Sequence, residues 1–143
     1  MIRILTIFPE SLEIFKARYL EVEIIDLRTY AKGSYRHIDE NPYGGGAGMV
    51  LRYDVLHEAL VSLRKENTHV ILLTPIGDML NQDVIANLRR KEDVLLICGH
   101  YEGVDARIYE EVDQMLSVGD YILSGGEVAA LLFLETILNN GVK

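Results

Sequence analysis

Residues 94–103 read VLLICGHYEG. Val94 to Ile97 are four apolar residues in a row, so the strand they form has no side suited to water and needs cover on both faces. Gly99 and Gly103 follow at once. Glycine there permits positive φ and lets a ligand reach backbone N–H and C=O groups. The same arrangement recurs on either side. Val70–Leu73 is a second continuous apolar strand, closed by Thr74-Pro75. Met115–Val118 is a short strand followed by GDYILSGG, residues 119–126. Ile2–Phe8 is a β-rich apolar run stopped by Pro9, and Leu20–Leu27 mixes alternation with an apolar pair and reads as a strand.

Helical patterns fill the intervals. Glu10–Arg18 is a short helix with Leu12 and Phe15 on one face. Asp54 is placed to cap a helix from Val55 to Asn67, and Asn81 one that runs to Arg90. Asp105–Val112 reads as a short helix and Glu127–Asn139 as a strongly apolar last one. Strands alternating with helices, several of the strands apolar on both faces, define an α/β fold: a parallel sheet with helices on both faces. Connections in such a sheet are right-handed, and ligands sit at the carboxyl ends of the strands.

The chain's 143 residues make one domain, 49% hydrophobic and 25% charged, as in soluble globular proteins. One cysteine, Cys98, excludes a disulfide framework and a multi-cysteine zinc site. No apolar run approaches the roughly 20 residues of a membrane span. The N-terminus MIRILTIFPES reads as a first strand and not a secretory signal, so no membrane is expected and a cytoplasmic location is. The net charge of −8 argues globally against a nucleic-acid binder. The charge is uneven, however. Residues 28–38 carry Arg28, Lys32 and Arg36 with no acid, and residues 98–127 carry one base, Arg107, against seven acids. Taken alone, each segment is most simply a solvated face.

Nine of the twelve glycines fall in three clusters, at 44/45/46/48, 99/103 and 119/125/126. The first lies in a long irregular stretch, residues 28–50, and loops of that length in a compact domain are usually functional or disordered. The turn after the first strand, Phe8-Pro9-Glu10-Ser11, has no glycine, and no G-x-x-x-x-G-K-[ST] occurs. Dinucleotide and Walker-type phosphate loops are therefore absent. The glycine loops are acidic and bear tyrosines, which suits a ligand with a purine, a ribose and positive charge better than one rich in phosphate.

Four motifs in order carry a resemblance: residues 42–49 (PYGGGAGM), 73–77 (LTPIG), 98–105 (CGHYEGVD) and 117–127 (SVGDYILSGGE). Together they closely resemble the bacterial tRNA (guanine-N(1)-)-methyltransferases, a SPOUT-class family, from Ile7-Phe8-Pro9-Glu10 to about Ile137. The resemblance implies a C-terminal part threaded into a deep trefoil knot. It implies S-adenosylmethionine bound in a bent shape on the knot loops, and a homodimer with active sites at the interface. It also implies tRNA as partner, methylated on the guanosine 3′ of the anticodon.

Carried over residue by residue, the donor contacts are Leu72, Thr74, Pro75 and Gly77 on the adenine side, then Gly99 and Tyr101, then Val118, Gly119, Asp120, Tyr121, Ile122 and Leu123, with Gly125 and Gly126 letting the chain pass close by. Tyr43, Gly44 and Gly45 resemble the guanine-pocket loop, and Arg28 and Arg36 the part facing tRNA. His100 and Glu102 are the candidate catalytic residues, with Mg²⁺ expected near Glu102; a carboxylate there also suits a helix N-terminus. Cys98 reads as a small buried hydrophobe, and His57 and His69 as surface or helix-face residues.

Methyl transfer to a guanine ring nitrogen needs an aligned donor, a base for the ring proton and a stabiliser for the charge developing on the exocyclic oxygen. The chain offers the first in full and His100 for the third. It offers no good base. In the family that base is an aspartate on a linker to a helical tRNA-gripping domain, and residues 1–143 match only the donor-binding domain. Asn139 stands near the place of a family arginine, and His100 where many members have arginine. These 143 residues alone are expected to bind donor and transfer methyl poorly. The alternatives are a non-catalytic S-adenosylmethionine-binding module of the same fold, or a purely structural dimerisation domain.

Overall fold

The computed structural model describes residues 1–7, 9–16, 22–31, 39–40, 50–99, 104–119 and 126–138. Its elements run β1 (Ile2–Thr6), α1 (Pro9–Lys16), β2 (Val22–Asp26), a 3-10 turn (Leu27–Tyr30), β3 (Asp39–Glu40), β4 (Val50–Leu51), α2 (Tyr53–Leu63), β5 (Thr68–Met79), α3 (Gln82–Leu88), β6 (Asp93–Cys98), a second 3-10 turn (Ala106–Glu111), β7 (Gln114–Ser117) and α4 (Gly126–Ile137).

Five strands form one sheet in the order β2-β1-β6-β5-β7, every pairing parallel. Side chains alternate across each strand and split the core in two. Ile2, Ile4, Ile71, Leu73, Val94, Leu96 and Cys98 face α1, α3 and α4. Leu5, Ile7, Val70, Leu72, Leu95 and Ile97 face α2 and the second 3-10 turn. Cover on both faces is why Val70–Leu73 and Val94–Ile97 are continuous apolar runs, as the sequence predicts. From the edge strand β7 the chain returns to the middle of the sheet, where α4 lies against β6, β5 and β1. The expected knot depends on residues 100–103 and 120–125, which lie outside the described residues.

Several expectations need correction. β5 does not stop at Thr74-Pro75 but continues to Met79. Leu73 and Asp78 both pair with Leu116, so residues 74–77 are looped out of the ladder. Pro75 sits in that loop, where a residue without an N–H costs no ladder bond. α2 begins at Tyr53, two residues before the expected Val55. Asp54 is not its cap: Arg52 holds the cap position without a side-chain bond, and the Arg52 guanidinium clasps the Asp54 carboxylate (Nε–Oδ1 3.0 Å, Nη2–Oδ2 2.9 Å). α2 also ends at Leu63, short of Asn67, and α3 ends at Leu88, short of Arg90. The expected helix at 105–112 is a 3-10 turn. Nor is 28–50 wholly irregular, because Asp39–Glu40 pairs antiparallel with Val50–Leu51.

Candidate functional site

Since all five strands are parallel, their carboxyl ends lie along one edge of the sheet, where ligands of α/β folds bind. The described parts of three of the four sequence motifs meet there. Leu73 of β5 pairs with Cys98 of β6 on one side and Leu116 of β7 on the other. The looped-out 74–77 segment, Gly99, and Val118-Gly119 are therefore neighbours at three adjacent strand ends.

Each is held by local bonds. Thr74 Oγ1 accepts a long bond from the Ile76 N–H (3.5 Å). The buried Ser117 hydroxyl donates to the Gly119 carbonyl (3.0 Å) and accepts from the Gly119 N–H (3.2 Å), fixing the turn out of β7. The Leu80 N–H donates to the Ser117 carbonyl (2.8 Å), which ties the far side of the 74–77 loop to the same point. Gly77 has a packing reason for its identity. A Cβ there would lie 2.5–2.7 Å from backbone atoms of Met115 and Leu116. At Gly99 a Cβ would come within 3.0 Å of the Leu73 carbonyl oxygen. These two glycines serve the close approach of neighbouring strands.

Leu72 lies wholly inside the core, in register with Ile97 and Met115, and its side chain is out of reach of solvent. Gly126 opens α4. The next residue, Glu127, accepts a hydrogen bond from the buried Thr6 hydroxyl at the end of β1 (2.5 Å). Burial, with a smaller contribution from the Glu127 charge, pushes the Cys98 thiol well above its ordinary range. Cys98 is a buried hydrophobe, as expected, since only a thiolate would be a nucleophile.

Thr6, Ser117 and Glu127 were not singled out from the sequence as site residues. The legible signal was a hydroxyl at the carboxyl end of a short apolar run, Ile4-Leu5 before Thr6 and Met115-Leu116 before Ser117.

Arg28 is at the other side of the sheet, after the edge strand β2, and its guanidinium grips Asp26 (Nε–Oδ1 3.0 Å, Nη2–Oδ2 2.9 Å) with Glu10 at 3.9 Å. Its hydrogen bond and charge interaction with Asp26 hold its pKa above the usual value. His57 pairs with Glu111 (2.6 Å) on the exposed side of α2, and His69 meets Gln114 (2.8 Å). His100, Tyr101, Glu102, Asp120, Tyr121, Ile122, Leu123, Gly125, Arg36, Tyr43, Gly44 and Gly45 lie outside the described residues. Among the described residues no three His, Cys, Asp or Glu are grouped to hold a metal ion, and no helix is long and apolar enough to cross a membrane.

A parallel α/β domain with glycine-bearing loops at adjacent strand ends offers a ligand site at its carboxyl edge. Comparison with known proteins narrows this. The family model described as tRNA (Guanine-1)-methyltransferase TrmD matches residues 1–142, and the chain belongs to that family, of the SPOUT class. Among curated relatives named tRNA (guanine-N(1)-)-methyltransferase, that of Dictyoglomus turgidum is 39% identical over 147 residues, covering 96% of this chain and 60% of the relative. That of Malacoplasma penetrans is 44% identical over 119 residues, covering 83% and 53%. That of Clostridium botulinum is 38% identical over 146 residues, covering 95% and 61%. The chain thus spans a little over half the length of these relatives.

Proposed function

We propose that this chain is the S-adenosylmethionine-binding domain of an enzyme that methylates N1 of the guanosine 3′ of the anticodon in tRNA. The observation that carries the reading is the convergence of the 73–77, 98–105 and 117–127 motifs of a tRNA (guanine-N(1)-)-methyltransferase family on three adjacent strand ends. The chemistry at that edge suits the donor. The Glu127 carboxylate is held by Thr6 at the end of β1, and the donor's sulfonium is a cation.

When bound, the donor supplies a methyl group on positively charged sulfur. The new bond forms at guanine N1, the carbon–sulfur bond breaks, and the N1 proton passes to a base. The 74–77 loop, Gly99 and Val118-Gly119 would hold the adenosyl part through backbone groups, over a floor made by Leu72. Tyr101, Asp120–Leu123, Gly125 and Gly126 would complete the cradle. His100 would donate to the exocyclic oxygen as charge develops, with Mg²⁺ near Glu102 assisting. No residue among these 143 is assigned as that base. Tyr43, Gly44 and Gly45 would line the guanine pocket, and Arg28 and Arg36 would face tRNA. For Arg28 that role requires it to share its charge with Asp26.

A homodimer belongs to the same reading, and α4 supports it. Ala129, Ala130, Phe133, Leu134 and Ile137 fill the core, yet Val128 is 56% and Leu132 40% exposed on the opposite face. Two large apolar side chains left exposed on one helix face suit a contact with a second copy.

The test is calorimetry with S-adenosylmethionine, followed by a radiolabelled-methyl assay on unmodified tRNA, with this chain and with a form extended to its relatives' length. Donor binding by both, with transfer much faster in the extended form, is the expected result. Binding without transfer in either would favour the non-catalytic module, and no binding at all would remove the reading.

A further inference from the structure

A carboxylate is held near the strand ends where the proposed site lies. Glu127 is the second residue of α4, directly after Gly126, and its carboxylate is turned toward the sheet, where Thr6 Oγ1 donates to Oε2 at 2.5 Å. Thr6 is fully buried at the carboxyl end of β1, next to β6. Glu127 itself is half-buried, while Cys98, Ala129 and Ala130 are buried. The Glu127 charge is felt at Cys98, the last residue of β6, where it helps raise the thiol pKa. Gly99 follows Cys98 directly. β1 pairs with β6, so the carboxylate held by Thr6 stands near the end of β6, beside the strand ends assigned to the donor.

We propose that Glu127, fixed by Thr6, is a specificity-determining residue that favours the cationic donor over its neutral demethylated product. This rests on the reading of the site as an S-adenosylmethionine pocket. The two ligands share adenine, ribose and amino-acid groups and differ in one methyl and one positive charge. Backbone contacts treat them alike, whereas a fixed carboxylate does not. Such an arrangement helps turnover, because the attraction weakens as the sulfonium becomes a thioether and the product leaves.

The experiment is calorimetry with S-adenosylmethionine and with S-adenosylhomocysteine on wild type, Glu127→Gln and Thr6→Val. Glutamine keeps an oxygen to accept from Thr6 and removes the charge. Valine keeps the shape of Thr6 and removes the hydrogen bond. The wild type should bind both ligands. Glu127→Gln should lose on the order of tenfold in affinity for the cationic ligand, as expected for unit charges about 10 Å apart at an effective dielectric near 20. Its affinity for the neutral one should be unchanged. Thr6→Val, which frees the carboxylate, should give a smaller loss in the same ratio. Equal weakening of both ligands in Glu127→Gln, or no change in either, would overturn the proposal and leave Glu127 a packing role. If Glu127→Gln unfolds, as far-ultraviolet circular dichroism would report, an unchanged ligand ratio in Thr6→Val overturns it instead. If wild type binds neither ligand, the reading of the site itself fails, which is a separate outcome.

Discussion

Gly77 illustrates how a residue can look like a ligand contact and have a second reason to be what it is. In the sequence it closes a loop after an apolar strand. In the fold its α-carbon lies so close to β7 that a Cβ would meet Leu116 N at 2.5 Å and Met115 C at 2.6 Å. Backbone cannot step aside as a flexible side chain can, so the strand pair would separate. Gly77→Ala should therefore destabilise the protein by about 3 kcal/mol, at the upper end of overpacking costs, with the urea midpoint lowered. A midpoint equal to that of wild type would show that β5 and β7 tolerate the shift. Asp93 is the other residue whose setting decides its behaviour. Burial raises its pKa, but hydrogen bonds from Thr68 and Arg3, with the Arg3 and Lys65 charges, outweigh that and bring it below the ordinary value. The Arg3 guanidinium reaches it at 2.6 Å with both side chains almost fully buried. A depressed carboxylate pKa adds stability above the unfolded-state value and loses it as pH falls through the folded one. The stability gap between wild type and Asp93→Asn should thus be wide at pH 7 and close below about pH 4, as followed by urea melts across pH. A gap independent of pH would mean the charge on Asp93 is not what Arg3 and Thr68 hold.

At the level of elements, caps and ladders divide the work. Asn81 is the N-cap of α3 and its side chain accepts from the Val84 N–H at 3.0 Å. The helix has only seven residues, so one satisfied donor matters. Asn81→Ala should cost about 1 kcal/mol, and thermal melting should show it, while Asn81→Asp should restore most of the loss. The cap was legible in the sequence because asparagine precedes a helical pattern and can bond its own backbone. The cap assigned to Asp54 was not, since Arg52 captures that carboxylate and leaves the first turn of α2 without a side-chain bond. Local pattern names the residues able to cap, but competition from a neighbouring guanidinium chooses among their partners. β5 fails in a related way. Pro75 is a sound stop signal for a ladder, yet here the chain loops out for four residues and rejoins the same partner.

For the molecule as a whole, α4 leaves two large apolar side chains exposed on its outer face. Val128 and Leu132 are four residues apart and so share a face of the helix. With Phe133 and Leu134 already in the core, the two form an apolar strip that a second copy would cover. Val128→Asp combined with Leu132→Asp should convert a dimer into a monomer in sedimentation at micromolar concentration, with circular dichroism unchanged. Wild type sedimenting as a monomer would remove the strip as a dimer contact.

The sequence by itself determined the class of fold and the order of its parts. Val70–Leu73 and Val94–Ile97 are apolar on both faces, and only a parallel sheet covered on both sides satisfies that. The motifs that carry the family are likewise contiguous stretches, so they can be read without coordinates. Only the tertiary structure decided which strand ends adjoin: β6 lies between β1 and β5, strands distant in the chain. Strand order follows from packing whole faces, and no local pattern encodes it. That order brings Thr6 to Glu127 across 121 residues of sequence. It also makes two strands meet at Gly77, where the space left over permits no side chain.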